Sequence, residues 1–342
     1  MDDKIRNMLR ENGERIPDPL RYKKETMKYR RAGMSGLKLP EISLGLWQNF
    51  GSVDSFENMR DMVFTAFDNG ITSFDIANNY GPRAGTAEEN FGKLLKENFA
   101  GYRDEMAITT KAGYPMWKGP YGDGGSKKYL TASLDQSLKR LGLDYVDIFY
   151  HHRPAPETPI EETCLAMDAL IKQGKALYAG ISNYNREQTE AALTVFRELK
   201  TPFIVNQVRY HMLDRWIEKD GLLEYAEKQG FGLVVYSPLA QGLLTDKYKD
   251  GIPSDSRIRK NFTLKEEALT PELLARCQKL RELAAGRGQT LAELALSWVL
   301  KEKAVSTVII GASSSEQILD NIKVNPAFTE EELKEIDLIC NS

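Results

Sequence analysis

The chain is short of the residues and patterns on which several large classes of protein depend. It has 3 cysteines in 342 residues, Cys164, Cys277 and Cys340, odd in number, far apart and without neighbouring metal ligands. That argues against a disulfide framework and against a metal site, and reads instead as reduced structural thiols in a cytoplasmic protein. No apolar run approaches the roughly 20 residues that a bilayer-spanning helix needs, so no membrane partner is expected. The opening Met1-Asp2-Asp3-Lys4-Ile5-Arg6 mixes charges of both signs with no apolar stretch behind it, which argues against a secretory signal. An excess of charge of one sign is lacking as well: 46 basic against 49 acidic residues leave a net charge of −3, and Lys and Arg are scattered. Neither a nucleic-acid footprint nor a polybasic patch is supported. No Gly-x-Gly-x-x-Gly follows a strand near the start, so a dinucleotide site, if present, is built another way.

What is present is the material of an ordinary globular fold: a hydrophobic share of 42% and a charged share of 28% supply a core and a solvated surface. Residues 1–26 are polar and irregular. Met27-Lys28-Tyr29-Arg30 and Leu37-Lys38-Leu39-Pro40 flank Gly33 and Gly36, the pattern of a β-hairpin. Thereafter short apolar runs alternate with longer amphipathic segments, which predicts βα units and a parallel sheet. Strands are predicted near 42–46, 72–76, 106–111, 145–151, 176–181, 203–207, 232–236 and 307–310. Helices are predicted near 55–69, 86–99, 126–141, 159–173, 185–199, 217–229, 271–286, 290–302 and 313–324. Eight strands in one repeating pattern favour a single-domain (β/α)8 TIM barrel over residues 1–342; a two-domain Rossmann arrangement is the alternative. The longest stretches without a clear element, 112–125 and 237–268, follow predicted strands and belong at the C-terminal mouth of such a barrel, where active sites are assembled.

Four polar groups fall at the ends of consecutive predicted strands: Asp75 and Tyr80 after the second, Lys111 closing the third and His152 closing the fourth. Taken singly, each has an ordinary reading as turn former, rim residue or solvated cation. Together they point into one mouth, and their types fit one task, placing a proton on a carbonyl oxygen while a hydride reaches its carbon. A phenol is a poor acid at neutral pH unless a cation stabilises phenolate, and Lys111 can supply that charge. Asp75 can hold Lys111 ionised, and His152 can donate to the carbonyl oxygen and polarise it.

These residues lie in Phe74-Asp75-Ile76-Ala77-Asn78-Asn79-Tyr80-Gly81 and Val146-Asp147-Ile148-Phe149-Tyr150-His151-His152-Arg153-Pro154, which with Lys111 resemble the catalytic signatures of the aldo-keto reductases. Gly180-Ile181-Ser182-Asn183-Tyr184, Asn206-Gln207-Val208, Tyr236-Ser237-Pro238-Leu239 and Ile310-Gly311-Ala312-Ser313 resemble that family's nicotinamide-binding segments in the expected order. Two branches are nearest, the L-glyceraldehyde-3-phosphate reductases and the potassium-channel β subunits. Residues 239–248 and the loop 119–126 are especially similar to the first. The resemblance implies an NADPH-dependent reductase of small aldehydes or ketones, including L-glyceraldehyde 3-phosphate and methylglyoxal, with Tyr80 as general acid. By the same resemblance Ser182, Asn183 and Gln207 hold the nicotinamide carboxamide and Tyr236 stacks on its ring. Trp47, Ser237, Leu239 and Gln241 line the cofactor, while Lys247, Arg257, Gly311, Ser313, Gln317 and Asn321 reach its phosphates and adenosine. Asp320 stands where the β subunits carry Glu, which leaves NADPH against NADH open, and the sequence leaves a homo-oligomer open.

Ordinary readings stand beside these: Ser313 as a helix N-cap, Arg257 as a surface ion pair, Tyr236 as barrel filling. Two other functions compete. A slow-turnover, NADPH-binding regulatory subunit fits the β-subunit resemblance, although those subunits carry Asn where His152 stands. A barrel aldolase with a Schiff base on Lys111 is the other, and it leaves the cofactor segments unexplained. For the substrate, Met116, Trp117 and Tyr121 are expected to form an aromatic wall, with Lys127, Lys128 or Arg153 as partners for a phosphate.

Overall fold

The computed structural model describes residues 15–249, 251–252, 258–259 and 264–341. A two-stranded hairpin, β1 (Tyr29–Arg31) against β2 (Lys38–Pro40), precedes eight strands. These are β3 (Ile42–Gly45), β4 (Ser73–Asp75), β5 (Ala107–Ala112), β6 (Val146–His151), β7 (Ala176–Ser182), β8 (Phe203–Arg209), β9 (Gly232–Tyr236) and β10 (Val305–Ile310). All pair in parallel in chain order, and β10 closes the ring by pairing with both β9 and β3. The chain is therefore a (β/α)8 TIM barrel, as the alternation of apolar runs predicts.

The helices are α1 (Phe56–Asp68), α2 (Thr86–Asn98), α3 (Lys127–Leu141), α4 (Ile160–Lys172), α5 (Arg186–Leu199), α6 (Trp216–Lys219), α7 (Leu222–Gln229), α8 (Pro271–Gly286), α9 (Leu291–Leu300), α10 (Ser315–Asn321) and α11 (Glu330–Asn341). Their starts are fixed locally: Ser55, Ser126, Asn185, Thr270 and Thr290 each accept a backbone N–H of the first turn, with full capping boxes at Asn185/Gln188 and Thr290/Glu293. The helix predicted over 217–229 is two helices, because Gly221 takes a left-handed conformation at φ 78 and restarts it. The one predicted over 313–324 shrinks to α10, and α11 lies beyond the predicted set. Among the described residues no helix is long and apolar enough to cross a membrane.

Side-chain alternation sorts each strand between two cores. On β6, Phe149 joins the layer between barrel and helices, whereas Ile148 and Tyr150 join a second cluster with Val205, Val234 and Ile309 inside the barrel. Ala32 and Leu39 of the hairpin belong to that inner cluster, so the hairpin plugs the bottom of the barrel. The polar segment before it also has a purpose. Arg21, 5% exposed, lies over the rings of Phe67 and Tyr102 at 4.7 and 5.2 Å and pairs with Glu105, strapping residues 15–26 across α1.

The plug depends on Gly33. Its φ is +58, and a Cβ there would lie 2.3 Å from the Gly230 carbonyl oxygen and 2.7 Å from Phe231 Cα. Gly33→Ala should therefore cost about 1–3 kcal/mol in urea unfolding. Gly36→Ala in the same turn, with nothing within 4 Å of its Cβ, should stay within about 0.5 kcal/mol of wild type. Equal effects at the two positions would show that the turn does not seat as described.

Candidate active site

Parallel strands of a barrel deliver their C-terminal ends to one rim. Asp75 ends β4, Lys111 lies in the last turn of β5, Ser182 ends β7, Gln207 lies in β8 and Tyr236 ends β9. His152 follows β6 by one residue and Tyr80 lies in the loop after β4.

At the centre is a buried cation. Lys111 has no exposed surface, and its Nζ donates to Asp75 Oδ2 at 2.6 Å, to the Ile76 carbonyl at 2.8 Å and to the Tyr80 hydroxyl oxygen at 3.3 Å. An ammonium has three N–H donors, so all three are satisfied. Asp75 is equally saturated: its Oδ1 accepts from Thr109 Oγ1 at 3.0 Å and from Gln207 Nε2 at 2.8 Å. Because Lys111 donates to the phenol oxygen, the Tyr80 proton points elsewhere, and among the described residues nothing accepts it.

The electrostatics refine the expected role of Lys111. Burial pushes the Tyr80 phenol well above its usual value, and the Asp75 charge adds to the rise. Lys111 does not reverse this, because Asp75 balances its charge while the lost hydration remains. Burial also lowers Lys111, against the opposing pull of Asp75. Burial, followed by the charge of Lys111, holds His152 well below the ordinary histidine range. The mouth at rest thus contains a protonated phenol and a neutral imidazole. The His152 ring meets the ring edges of Tyr80 and Tyr114, with centroids 5.8 and 4.7 Å apart, and its Nδ1 is buried without a partner among the described residues.

Beside it lies an amide-rich patch. Ser182 Oγ donates to the Gln207 carbonyl at 3.0 Å, and Asn183 Nδ2 donates to the His152 carbonyl at 3.0 Å. Tyr236 donates its hydroxyl to Asn183 Oδ1 at 2.7 Å. Asn183 and Ser237 hold left-handed backbone at φ 64 and 55, as do Asn49, Ala240 and Gln241. Non-glycine residues in that region cost about 1–3 kcal/mol each, and five of the seven among the described residues lie in loops after barrel strands, while Glu25 and Lys200 lie elsewhere. Trp47 is 44% exposed at the rim, its ring centroid 6.3 Å from that of Tyr80. Leu239 and Gln241 follow on the loop after β9 with Lys247 exposed beyond them; Arg257 lies outside the described residues.

Two expectations change. Ser313 does not open the last barrel helix: Ser314 caps α10, while the Ser313 N–H and hydroxyl both donate to Gln317 Oε1. Gly311 is exposed next to it and Asn321 is buried at the helix end. The aromatic wall also differs. Trp117 packs on Tyr129 at 5.2 Å, and Tyr121 is 57% exposed under Lys128. The ring that meets His152 from this loop is Tyr114, outside the expected wall; its place directly after Gly113, three residues past Lys111, is the mark it carries in the sequence.

The barrel and the residues gathered at its mouth fit one class of enzyme. Residues 41–341 match the model of the Aldo/keto reductase family, and the chain belongs to that family. It is 52% identical over 329 residues to L-glyceraldehyde 3-phosphate reductase of Escherichia coli strain K12, with 94% of each chain covered. It is 39% identical over 332 residues to a potassium-channel beta-subunit homologue of Schizosaccharomyces pombe, covering 94% of this chain and 95% of that protein. Among solved structures it is similar to the thermostable aldo-keto reductase Tm1743 in complex with the inhibitor epalrestat: TM-score 0.72, 31% identity, 92% of this chain and all of that one covered. The chain is an oxidoreductase, of a family that generally uses NAD(P)H on small carbonyl compounds.

The adjacent histidines separate by side. His151 faces outward and shares a 2.6 Å hydrogen bond with the Tyr184 hydroxyl, whereas His152 turns to the mouth. Burial lowers His151 to about 4. An unfolded histidine titrates near 6.5, so between these values the unfolded chain binds the extra proton. The stability tied to neutral His151 is complete above pH 6.5 and is lost as pH falls toward 4, a contribution on the order of 3 kcal/mol. His151→Phe should flatten the decline of the urea midpoint over that window, while His152→Ala should chiefly lower kcat. The reverse assignment of effects would place the register one residue off.

Proposed function

We propose that the chain reduces small aldehydes and ketones with NADPH, with Tyr80 as the proton donor. The observation that carries this is the Tyr80 phenol: its oxygen accepts from Lys111 at 3.3 Å, its proton has no acceptor among the described residues, and it lies beside His152. Asp75 keeps Lys111 charged and aimed, and neutral His152 offers an N–H to the carbonyl oxygen. As the Tyr80 proton leaves, charge develops on the phenol oxygen next to Lys111, so the cation stabilises the product of the transfer more than its start. The nicotinamide supplies the hydride when bound. The donor set fits such a ring: Ser182, Asn183 and Gln207 match a carboxamide, and Tyr236 offers an aromatic face. Lys247, Arg257, Gly311, Ser313, Gln317 and Asn321 would take the phosphates and adenosine, and Trp47, Ser237, Leu239 and Gln241 complete the groove.

Tyr80→Phe should retain NADPH binding, read by fluorescence, and lose about 10²–10⁴-fold in kcat. Near-normal turnover with hydride transfer rate-limiting would remove Tyr80 as donor.

The substrate we infer is a short aldehyde carrying a phosphate, as the name of the Escherichia coli relative suggests. The kcat/KM for glyceraldehyde 3-phosphate should exceed that for glyceraldehyde by more than about tenfold, and added salt should erode the difference. Equal values, or a preference for long aldehydes, would leave the reductase reading and remove the phosphate.

A further inference from the structure

Arg153 stands one residue beyond His152 and is held from three sides. Its Nε donates to the Gly113 carbonyl at 2.8 Å, and one terminal nitrogen donates to both Asp123 carboxylate oxygens at 2.9 and 3.0 Å. Its Cζ lies 4.9 Å over the Tyr114 ring, the same ring whose edge meets His152. A single aromatic ring therefore separates a positioned cation from the imidazole beside Tyr80. The other terminal nitrogen of Arg153 has no hydrogen-bond partner among the described residues.

The carboxylate on this guanidinium sits on a loop pinned at both sides of it: the Gly122 carbonyl accepts from Met116 N–H at 2.8 Å and the Gly125 carbonyl from Thr163 Oγ1 at 3.0 Å. Between them Gly124 takes φ +86 with open space where a Cβ would stand, so the Asp123 side chain can turn away without moving the loop. The side chains of Arg153 and Asp123 are 34% and 43% exposed, and an ion pair so exposed contributes little to stability. A phosphate dianion has more charge and more oxygens than a carboxylate and suits the planar guanidinium at least as well. The other cations near the loop are placed less well. Lys127 lines a groove with Glu162 and Lys172 between α3 and α4, and Lys128 Nζ lies 4.9 Å over the ring of the exposed Tyr121.

We propose that Arg153 recognises the substrate phosphate and that Asp123 is its internal competitor: a phosphorylated three-carbon aldehyde replaces the Asp123 carboxylate on the guanidinium and frees that side chain to solvent. This rests on the reading of the site as a reductase of phosphorylated aldehydes.

The test is the ratio of kcat/KM for glyceraldehyde 3-phosphate to that for glyceraldehyde, in wild type, Arg153→Gln, Arg153→Lys and Asp123→Asn, together with inhibition of glyceraldehyde reduction by inorganic phosphate. Arg153→Gln should lower the ratio about ten- to a hundredfold. Arg153→Lys, which keeps the charge and loses the planar fork, should fall between and serves if the Gln variant does not fold. Asp123→Asn should raise the ratio severalfold and make phosphate a stronger competitive inhibitor. A merely structural ion pair moves both partners' variants in the same direction. A wild-type preference that survives both Arg153 variants, or a ratio that falls in Asp123→Asn, overturns this inference and leaves the phosphorylated substrate standing. A wild type without the preference overturns that reading and this inference together.

Discussion

Lys111 carries its charge with no exposed surface, and the arrangement of the mouth follows from making that tolerable. An isolated buried ammonium costs several kcal/mol in lost hydration, and removing one partner of such a pair typically costs about 3–5 kcal/mol. The offset here comes from three acceptors at one strand end: Asp75 closing β4, and the Ile76 carbonyl and the Tyr80 hydroxyl in the loop that follows it. Asp75 in turn needs Thr109 from β5 and Gln207 from β8. Since β4 and β8 lie on opposite sides of the closed ring, the Gln207–Asp75 hydrogen bond of 2.8 Å spans the barrel. The ion pair joins neighbouring strands, but the hydrogen bonds that saturate Asp75 are complete only when the barrel is closed.

That saturation has a chemical consequence. With every Lys111 donor and both Asp75 oxygens engaged inside the protein, the Tyr80 hydroxyl proton is left without an acceptor among the described residues. Burial keeps it in place at neutral pH, and burial also keeps His152 neutral. The site thus holds a protonated phenol and an uncharged imidazole, with no net charge at the Lys111–Asp75 pair. In the proposed reaction a carbonyl compound would meet oriented dipoles in place of water, and the cation would act as negative charge develops on the phenol oxygen.

Much of this was legible in the sequence, for a reason that differs from part to part. Each barrel strand declares itself as a short apolar run because both its faces are covered, and Lys111 and His152 stand out as polar residues closing such runs. The pairing of Lys111 with Asp75 follows from strand order alone. What was hidden depends on packing between distant segments. Arg21 reads as one polar residue in an irregular stretch until Phe67 and Tyr102 supply the surface it covers. Tyr114 is one aromatic among several in its loop until the turn at Gly113 aims it at His152 and leaves Tyr121 outside. The direction of the Tyr80 shift was also beyond the sequence, since it turns on how much hydration is lost. The cap of α10 moved by one residue, from Ser313 to Ser314, because three serines in a row offer the same chemistry and only the backbone path chooses between them.

The two kinds of ion pair at the mouth divide the labour of the enzyme. Lys111–Asp75 is buried and fully hydrogen-bonded, so exchanging either partner for a ligand group would leave an uncompensated charge. Arg153–Asp123 and Arg209–Asp214 join the ends of β6 and β8 to loop carboxylates with substantial exposure, where a pair contributes about 0–1 kcal/mol, so that displacement of a partner by an anion of similar geometry would cost little. The buried pair is thus carried on the adjacent strands β4 and β5, whereas Asp123 and Asp214 of the exposed pairs are carried on loops. A barrel built this way can change the compound it accepts by altering loop residues alone, since nothing in the Lys111 network is supported by the loop 119–125.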